Sequence, residues 1–212
     1  DSNKVFPDIF RYQNGYGLGK GVHSFIPGFY DSDGIISIES ENKIEFIDSK
    51  NLLSTGSIEI TQPRNLFSFN ENILVSYGSK PSGGIALING LTKKVQKTIQ
   101  TTIDAGEIYS VYPYFYVFSK GVDENDTMIV KLYLDDYNDF SRLKIVENIT
   151  IGSRPVDFEE INLDYDYYHK GLAILCLGDE HTPAFLAIFD LITQKVTGRY
   201  HFADMDFKPE NL

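Results

Sequence analysis

The 212-residue chain has a single cysteine, Cys176, and no tryptophan. One thiol excludes a disulfide within the chain, so packing and hydrogen bonds must hold the fold. It does not fix the compartment, because many exported proteins also lack disulfides. The absence of Trp, and with it of any Gly-His…Trp-Asp pair, excludes WD40-type repeats. Positive charge is scarce: 19 Lys and Arg stand against 30 Asp and Glu, a formal net charge of −11. The densest basic run is Lys93-Lys94. Phosphate binding needs a basic face, so nucleic acid is not an expected partner. No apolar run approaches the ~20 residues of a membrane-spanning helix. The first residue is Asp1 and not Met. The expectation is a processed or truncated chain whose export signal is gone, and a lipid anchor on a removed N-terminal segment fits it.

Catalytic signatures are equally scarce. The glycine run Gly15–Gly21 invites a phosphate-loop reading, but Lys20 is followed by Gly21 where Ser or Thr is needed, and a strand follows in place of a helix. It reads as an inter-blade turn. Acidic pairs recur: Asp31/Asp33, Asp135/Asp136, Asp164/Asp166 and Asp204/Asp206. Asn162, Asp164 and Asp166 are spaced like the first ligands of an EF-hand loop, but Tyr167 replaces the obligatory Gly and Ala173 the final Glu. His23, His169, His181 and His201 show no zinc spacing. Cys176 lies within the apolar run Leu172–Leu177 and reads as a core residue. No serine sits in a G-x-S-x-G elbow. No catalytic residue, metal ligand or cofactor is assigned. Asn125-Asp126-Thr127 and Asn148-Ile149-Thr150 match the glycosylation sequon, which matters only in a secreted eukaryotic protein.

What the chain does have is a repeat. Ile44-Glu-Phe-Ile-Asp48, Ile85-Ala-Leu-Ile-Asn89 and Leu186-Ala-Ile-Phe-Asp190 align without gaps, each followed by a turn and a second strand ending at Ile58, Ile99 and Tyr200. The Asp or Asn can bond the backbone two residues on and so start the turn. A looser copy runs from Lys131-Leu-Tyr-Leu-Asp135 to Ile151, giving starts at 44, 85, 131 and 186 and spacings of 41, 46 and 55. Two short strands precede each copy; the first of them spans Ser24–Phe29, Arg64–Phe69, Glu107–Tyr112 and Val156–Ile161. Four strands per unit at this period predict an all-β chain of four-stranded antiparallel propeller blades. A β-sandwich gives no reason for the aligned Asp/Asn column, and a β-helix needs a shorter repeat. The units fall at residues 21–62, 63–104, 105–151 and 152–202 of a single domain, with 203–212 closing the ring or starting another blade. About four blades are visible, either as a compact four-bladed domain or as part of a six- or seven-bladed ring.

The stretch Gly15-Tyr-Gly-Leu-Gly19 to Phe25-Ile-Pro27, then Asp33-Gly-Ile-Ile-Ser-Ile and Asn42-Lys-Ile-Glu-Phe-Ile-Asp48, resembles the opening of NHL-like and TolB-like propellers. These are common among exported lipoproteins of Bacteroidetes-type bacteria. The hairpin from Ile85 to Ile99 resembles that of YVTN-type propellers. The resemblance implies a periplasmic or cell-surface protein, and it speaks for fold far more than for function.

Three readings of function follow. The first is a non-catalytic extracytoplasmic propeller that binds a partner protein or a glycan. The second is a propeller enzyme, a carboxylate- or metal-dependent lyase or hydrolase, with its site at the channel mouth. The third is a scaffold subunit of an intracellular assembly. By analogy with propellers, Arg64, Glu107 and Arg154 start successive innermost strands and could ring the channel mouth as a ligand site or form a charge network. Tyr109, Tyr112, Tyr114 and Tyr116 are expected to pack between blades. Tyr165, Tyr167 and Tyr168 alternate with Asp, a mixture suited to a contact surface. The inserts Asp135–Lys144 and Asp164–Lys170 are expected to be exposed loops, because packed sheets cannot absorb extra residues.

Overall fold

The computed structural model describes residues 22–28, 33–48, 50–51, 53–121, 123, 125–136, 139–164 and 169–202. The Gly15–Gly21 turn, Asp31, Asp166, Tyr137, the three tyrosines of 165–168 and the terminal segment 203–212 lie outside the described residues. Within them, sixteen strands form four separate antiparallel sheets of four. Blade 1 holds β1 (Val22–Pro27), β2 (Asp33–Ile38), β3 (Lys43–Asp48) and β4 (Ser54–Glu59). Blade 2 holds β5 (Pro63–Phe69), β6 (Asn72–Tyr77), β7 (Gly84–Asn89) and β8 (Lys94–Gln100). Blade 3 holds β9 (Ala105–Val111), β10 (Tyr114–Ser119), β11 (Met128–Tyr133) and β12 (Lys144–Thr150). Blade 4 holds β13 (Pro155–Asn162), β14 (Lys170–Cys176), β15 (Phe185–Asp190) and β16 (Lys195–His201). Each sheet is a meander in which chain neighbours pair. The fold is thus all-β and built of propeller blades.

The strand sequences reflect their place in the blade. Central strands such as β7 are buried along almost their whole length, so they read as continuous apolar runs. Outer strands such as β8 and β16 are largely exposed and alternate. The Asp/Asn column does what its chemistry predicts. Asp48 Oδ1 accepts from Lys50 N at 2.7 Å, Asn89 Oδ1 from Thr92 N at 2.7 Å, and Asp190 Oδ1 from Ile192 N at 2.8 Å and Thr193 N at 3.1 Å.

A second column lies in the same turns. Lys93 and Gln194, both four residues after the Asn or Asp, adopt left-handed backbone conformations with φ of 52° and 56°. Each side chain reaches back to the preceding blade. Lys93 Nζ donates to Thr55 Oγ1 at 2.8 Å and lies 4.8 Å from the centre of the Phe46 ring. Gln194 Oε1 accepts from the buried Lys131 Nζ.

The chain divides into two compact units, Asp1–Thr102 with Leu134–Leu143, and Ile103–Tyr133 with Lys144–Leu212. In the first, β1 lies against β5. The blade 1 face bearing Ile35, Ile44 and Phe46 packs on the blade 2 face bearing Ile73, Val75, Ala86 and Ile88. In the second, the blade 3 face bearing Tyr116, Phe118 and Ile129 packs on the blade 4 face bearing Leu172, Ile174, Ala187 and Phe189. We call the first of each pair the leading face and the second the trailing face. Tyr116 meets Phe189 edge-on at 5.8 Å, Tyr109 meets Phe158 at 5.0 Å, and Phe118 stacks on Phe158 at 4.5 Å. The tyrosines at 109 and 116 therefore pack between blades.

The insert between β11 and β12 departs from expectation. It is not a free loop: Leu134, Phe140 and Leu143 are buried, and Phe140 packs against Phe69 with ring centres 5.4 Å apart. A short 3-10 turn at Phe140–Arg142 is capped by Asp139, whose carboxylate accepts from Ser141 N at 3.1 Å. Lys97 Nζ closes it by donating to the carbonyls of Ser141 and Leu143 at 2.7 and 2.8 Å. The three buried apolar side chains, the Asp139 cap and the two Lys97 bonds act together against the entropy cost of ordering the segment.

Asp190 illustrates the energetics of the turn. Burial opposes its charge, but hydrogen bonds from His169 and from the backbone of Thr193 and Ile192 outweigh that and hold the carboxyl down at about 2. A depressed carboxyl stabilises the fold above its ordinary value of 3.8 and loses that contribution as pH falls toward 2. Asp190→Ala should therefore cost on the order of 1–2 kcal/mol near neutrality. The gap to the parent protein should close as pH falls from about 4 to about 2, as urea unfolding at stepped pH would show.

Candidate functional site

The strands β1, β5, β9 and β13 are each the edge strand of their sheet. Their pairing fixes which residues are equivalent. Pro63, Ala105 and Pro155 stand opposite Tyr77, Ser119 and Cys176, each beside a bulge. On that register Arg64, Glu107 and Arg154 are not equivalent. Arg64 comes one residue after Pro63, Glu107 two residues after Ala105, and Arg154 one residue before Pro155, outside the strand. Side chains alternate along a strand, so a one-residue offset changes the face. Arg154 has φ of 54° and precedes Pro155, which explains why the strand begins after it.

The three residues accordingly have different surroundings. Arg64 is 2% exposed. Its guanidinium donates to the carbonyl of Gly78, to Ser79 Oγ at 3.1 Å and to Glu39 Oε1 at 3.2 Å, while its own carbonyl accepts from the Ser37 hydroxyl. It fastens blade 1 to blade 2. Arg154 is half-buried, and its Nε donates to the Gly178 carbonyl at 2.7 Å. Gly178 has φ of 73°, and an added Cβ would stand 2.1 Å from the Thr182 carbonyl oxygen, so this turn accepts only glycine.

Glu107 is exposed at the edge of blade 3. Its equivalent in blade 4 is Asp157, also exposed, and β9 lies against β13. Partial desolvation, with the negative charge of Asp157 adding to it, raises the Glu107 carboxyl above its ordinary value. Further along the same two strands the Tyr109 hydroxyl donates to Glu160, and Lys170 Nζ pairs with the other Glu160 oxygen at 2.8 Å. These contacts hold the Glu160 carboxyl below its ordinary range, the lysine contributing most. The edge of this unit thus carries Glu107, Asp157 and Glu159 at the surface, with a partly exposed Tyr109–Glu160–Lys170 cluster further along the same strands. Sequence reasoning singled out Glu107 but missed Asp157; aligning the innermost strands from their opening Pro63 and Pro155 would have found it.

Other groups with chemical potential are committed to structure. Cys176 is buried, and burial pushes its thiol up to about 12 despite the nearby Arg199. His169 Nε2 stands 2.9 Å from Asp190 Oδ1, with Asp164 3.9 Å from its other nitrogen. Asp179 accepts from the Ser153 hydroxyl first and then from the backbone of His181 and Thr182, which holds its carboxyl at about 2. Among the described residues no three His, Cys, Asp or Glu gather as a metal site.

No family model matches the chain, and no curated protein matches it by sequence. Solved structures do resemble it. Hydrazine synthase of Kuenenia stuttgartiensis aligns with a TM-score of 0.63 at 18% identity, over 88% of this chain and 52% of that one. Dihydro-heme d1 dehydrogenase NirN in complex with DHE aligns at 0.61 and 15% identity, over 84% of this chain and 37% of that one. A Bacteroides caccae protein of unknown function aligns at 0.56 and 14% identity, over 90% and 65%. This chain spans about half the length of the first and less of the second. At such identities the likeness establishes the fold alone: the chain is made of β-propeller blades.

Two outcomes follow for these residues. Arg64→Met should lower stability by about 3 kcal/mol in urea titration, because it removes the bonds of a buried guanidinium to the Gly78 carbonyl, Ser79 and Glu39. Cys176 should resist iodoacetamide in the native protein at pH 8 and react promptly once the chain is unfolded in urea.

Proposed function

We propose that the chain is a non-catalytic binding module that acts outside the cytoplasm and contacts a partner protein or glycan through the acidic edge of blades 3 and 4. The observation that carries this is the placement of Glu107 and Asp157 at one register position on adjacent edge strands. Two surface carboxylates held together repel, and a basic or hydrogen-bond-donating partner would relieve that repulsion. Arg154 belongs to the proposed surface, and so, on sequence grounds alone, do Tyr165, Tyr167 and Tyr168. Arg64, bound to Glu39, Gly78 and Ser79, is a structural strut of blades 1 and 2. The likeness to exported NHL-like and TolB-like lipoproteins supports the extracytoplasmic placement.

The same pair favours a second reading. A carboxyl of raised pKa beside a second carboxyl is the arrangement of a general acid with its stabilising partner. In that reading the edge is the active site of a lyase or hydrolase, with Glu107 giving the proton.

Glu107→Gln separates the two. A binding module loses only part of its affinity for a partner recovered by pull-down or glycan array, because Asp157 stays in place and the amide still accepts hydrogen bonds, whereas Glu107→Lys with Asp157→Lys abolishes binding. Turnover of a defined glycan that Glu107→Gln eliminates would overturn the binding reading. The substitution also tests the electrostatics. A carboxyl raised above 4.5 leaves the folded state holding a proton that the unfolded chain has lost, so stability rises as pH falls through that window. Glu107→Gln should flatten this rise in urea midpoints measured from about pH 7 to about pH 4.

A further inference from the structure

Among the described arginines, Arg154 is set apart by what its guanidinium lacks. Arg64 holds Glu39 at 3.2 Å, and Arg142 holds Asp135 at 2.6 Å. Arg199 lies 5.7 Å from the centre of the Phe185 ring and donates to the Ile151 carbonyl at 3.0 Å. Arg154 has neither a carboxylate nor a ring as partner among the described residues. The chain has 30 acidic residues against 19 basic ones, so carboxylates are not in short supply. Asp179, next to Gly178, is taken up by the Ser153 hydroxyl and by the backbone N–H groups of His181 and Thr182.

The Arg154 guanidinium is nevertheless held in place. Its Nε donates to the Gly178 carbonyl at 2.7 Å, and Nη2 stands 3.5 Å from the Leu177 carbonyl. Nε and Nη2 share one side edge of the planar fork, so that edge lies on backbone. The backbone beneath is tied as well. Leu177 N donates to the Arg154 carbonyl at 3.1 Å, Gly178 N to the Ser153 carbonyl at 3.2 Å, and Arg154 N to the Asp126 carbonyl at 2.6 Å. The end edge of the fork, formed by Nη1 and the second Nη2 hydrogen, donates to no described group. Two parallel N–H groups on a fixed plane match the two oxygens of a carboxylate.

The surrounding charges define what carries that carboxylate. Arg154 and Asp157 are three residues apart, at most about 10 Å along the chain. Glu107 stands on β9, which lies against β13. A purely anionic ligand meets Glu107, Asp157 and a net charge of −11, and a purely cationic one meets Arg154. We infer that this edge takes a zwitterion, its carboxylate bound by the open edge of Arg154 and its ammonium by Glu107 and Asp157. That chemistry belongs to a free amino acid or to a peptide chain ending in lysine. The inference rests on the reading of this edge as a binding surface and adds the carboxylate to it. A guanidinium fixed before the ligand arrives keeps the entropy cost of binding low.

The probes are ω-aminohexanoate, which carries both groups, and hexanoate and hexylamine, which carry one each. They are titrated into the full 212-residue chain while NMR follows the Arg154 Nε–H and the Leu177 and Gly178 amides. The ω-aminohexanoate should give saturable shifts, and each single-charge probe should bind at least about 10-fold more weakly. Arg154→Gln should reduce the affinity for ω-aminohexanoate to that for hexylamine. Arg154→Lys keeps the charge but loses the fork, so its affinity should fall between the two. Thermal melting checks that both variants stay folded. Free lysine and a peptide ending in lysine separate the sources: binding of the first alone assigns a free amino acid, binding of the second a chain end. The inference is overturned if hexanoate or hexylamine binds as tightly as ω-aminohexanoate, if no probe gives a saturable shift, or if both Arg154 variants keep the parent affinity. The acidic edge is judged separately, by whether Glu107→Lys with Asp157→Lys abolishes partner capture.

Discussion

A four-stranded sheet with apolar side chains on both faces cannot rest in water on either. That constraint organises this chain. Central strands such as β7 are buried from Gly84 to Ile88, so each blade needs a neighbour on both sides before its own burial is complete. At about 25 cal/mol per Å² of apolar surface, the faces stabilise the array far more than any single polar contact. The polar contacts set alignment instead. Lys93 reaches Thr55 and Gln194 meets Lys131, so within each unit the later blade is tied to the earlier one from the same hairpin position. Arg64 does the same from the other end of the first unit, where Glu39, Gly78 and Ser79 converge on it.

Much of this is legible in the residues. The Asp/Asn column forms the turns its spacing implies, because an Asx turn is a local interaction that needs nothing beyond three or four residues of chain. The buried central strands and alternating outer strands are equally readable, because burial leaves its pattern in the sequence. The Lys93 and Gln194 column is not, since a lysine and a glutamine announce neither a left-handed backbone nor a reach to the next blade. Only the aligned hairpins show that they share a position.

The insert after β11 misleads for a different reason. Its length suggests an exposed loop, but Leu134, Phe140 and Leu143 are apolar and buried, and Phe140 packs on Phe69. Composition is the better guide there than length. The same lesson applies to the edge strands. Grouping Arg64, Glu107 and Arg154 as the openings of three strands counts every strand from its first residue. The partners Tyr77, Ser119 and Cys176 show instead that Pro63, Ala105 and Pro155 are the matching positions, and a shift of one residue from them turns a side chain to the other face. Counted from Ala105 and Pro155, Glu107 keeps company with Asp157.

In the two blades of the second unit, packing and surface charge divide the same strands. On β13, Phe158 turns toward Tyr109 and Phe118 and joins the core, while Asp157 and Glu159, its immediate neighbours, turn away and stay wet. A period of two lets one strand close an interface and present carboxylates without either demand disturbing the other. That separation is why charge can be changed at Asp157 with little effect on the packing of Phe158. Where the alternate positions are apolar as well, as at Leu175 and Leu186 in the central strands of blade 4, no such division exists. Both faces of such a blade therefore call for a packing partner, whatever the charge of the rest of the molecule.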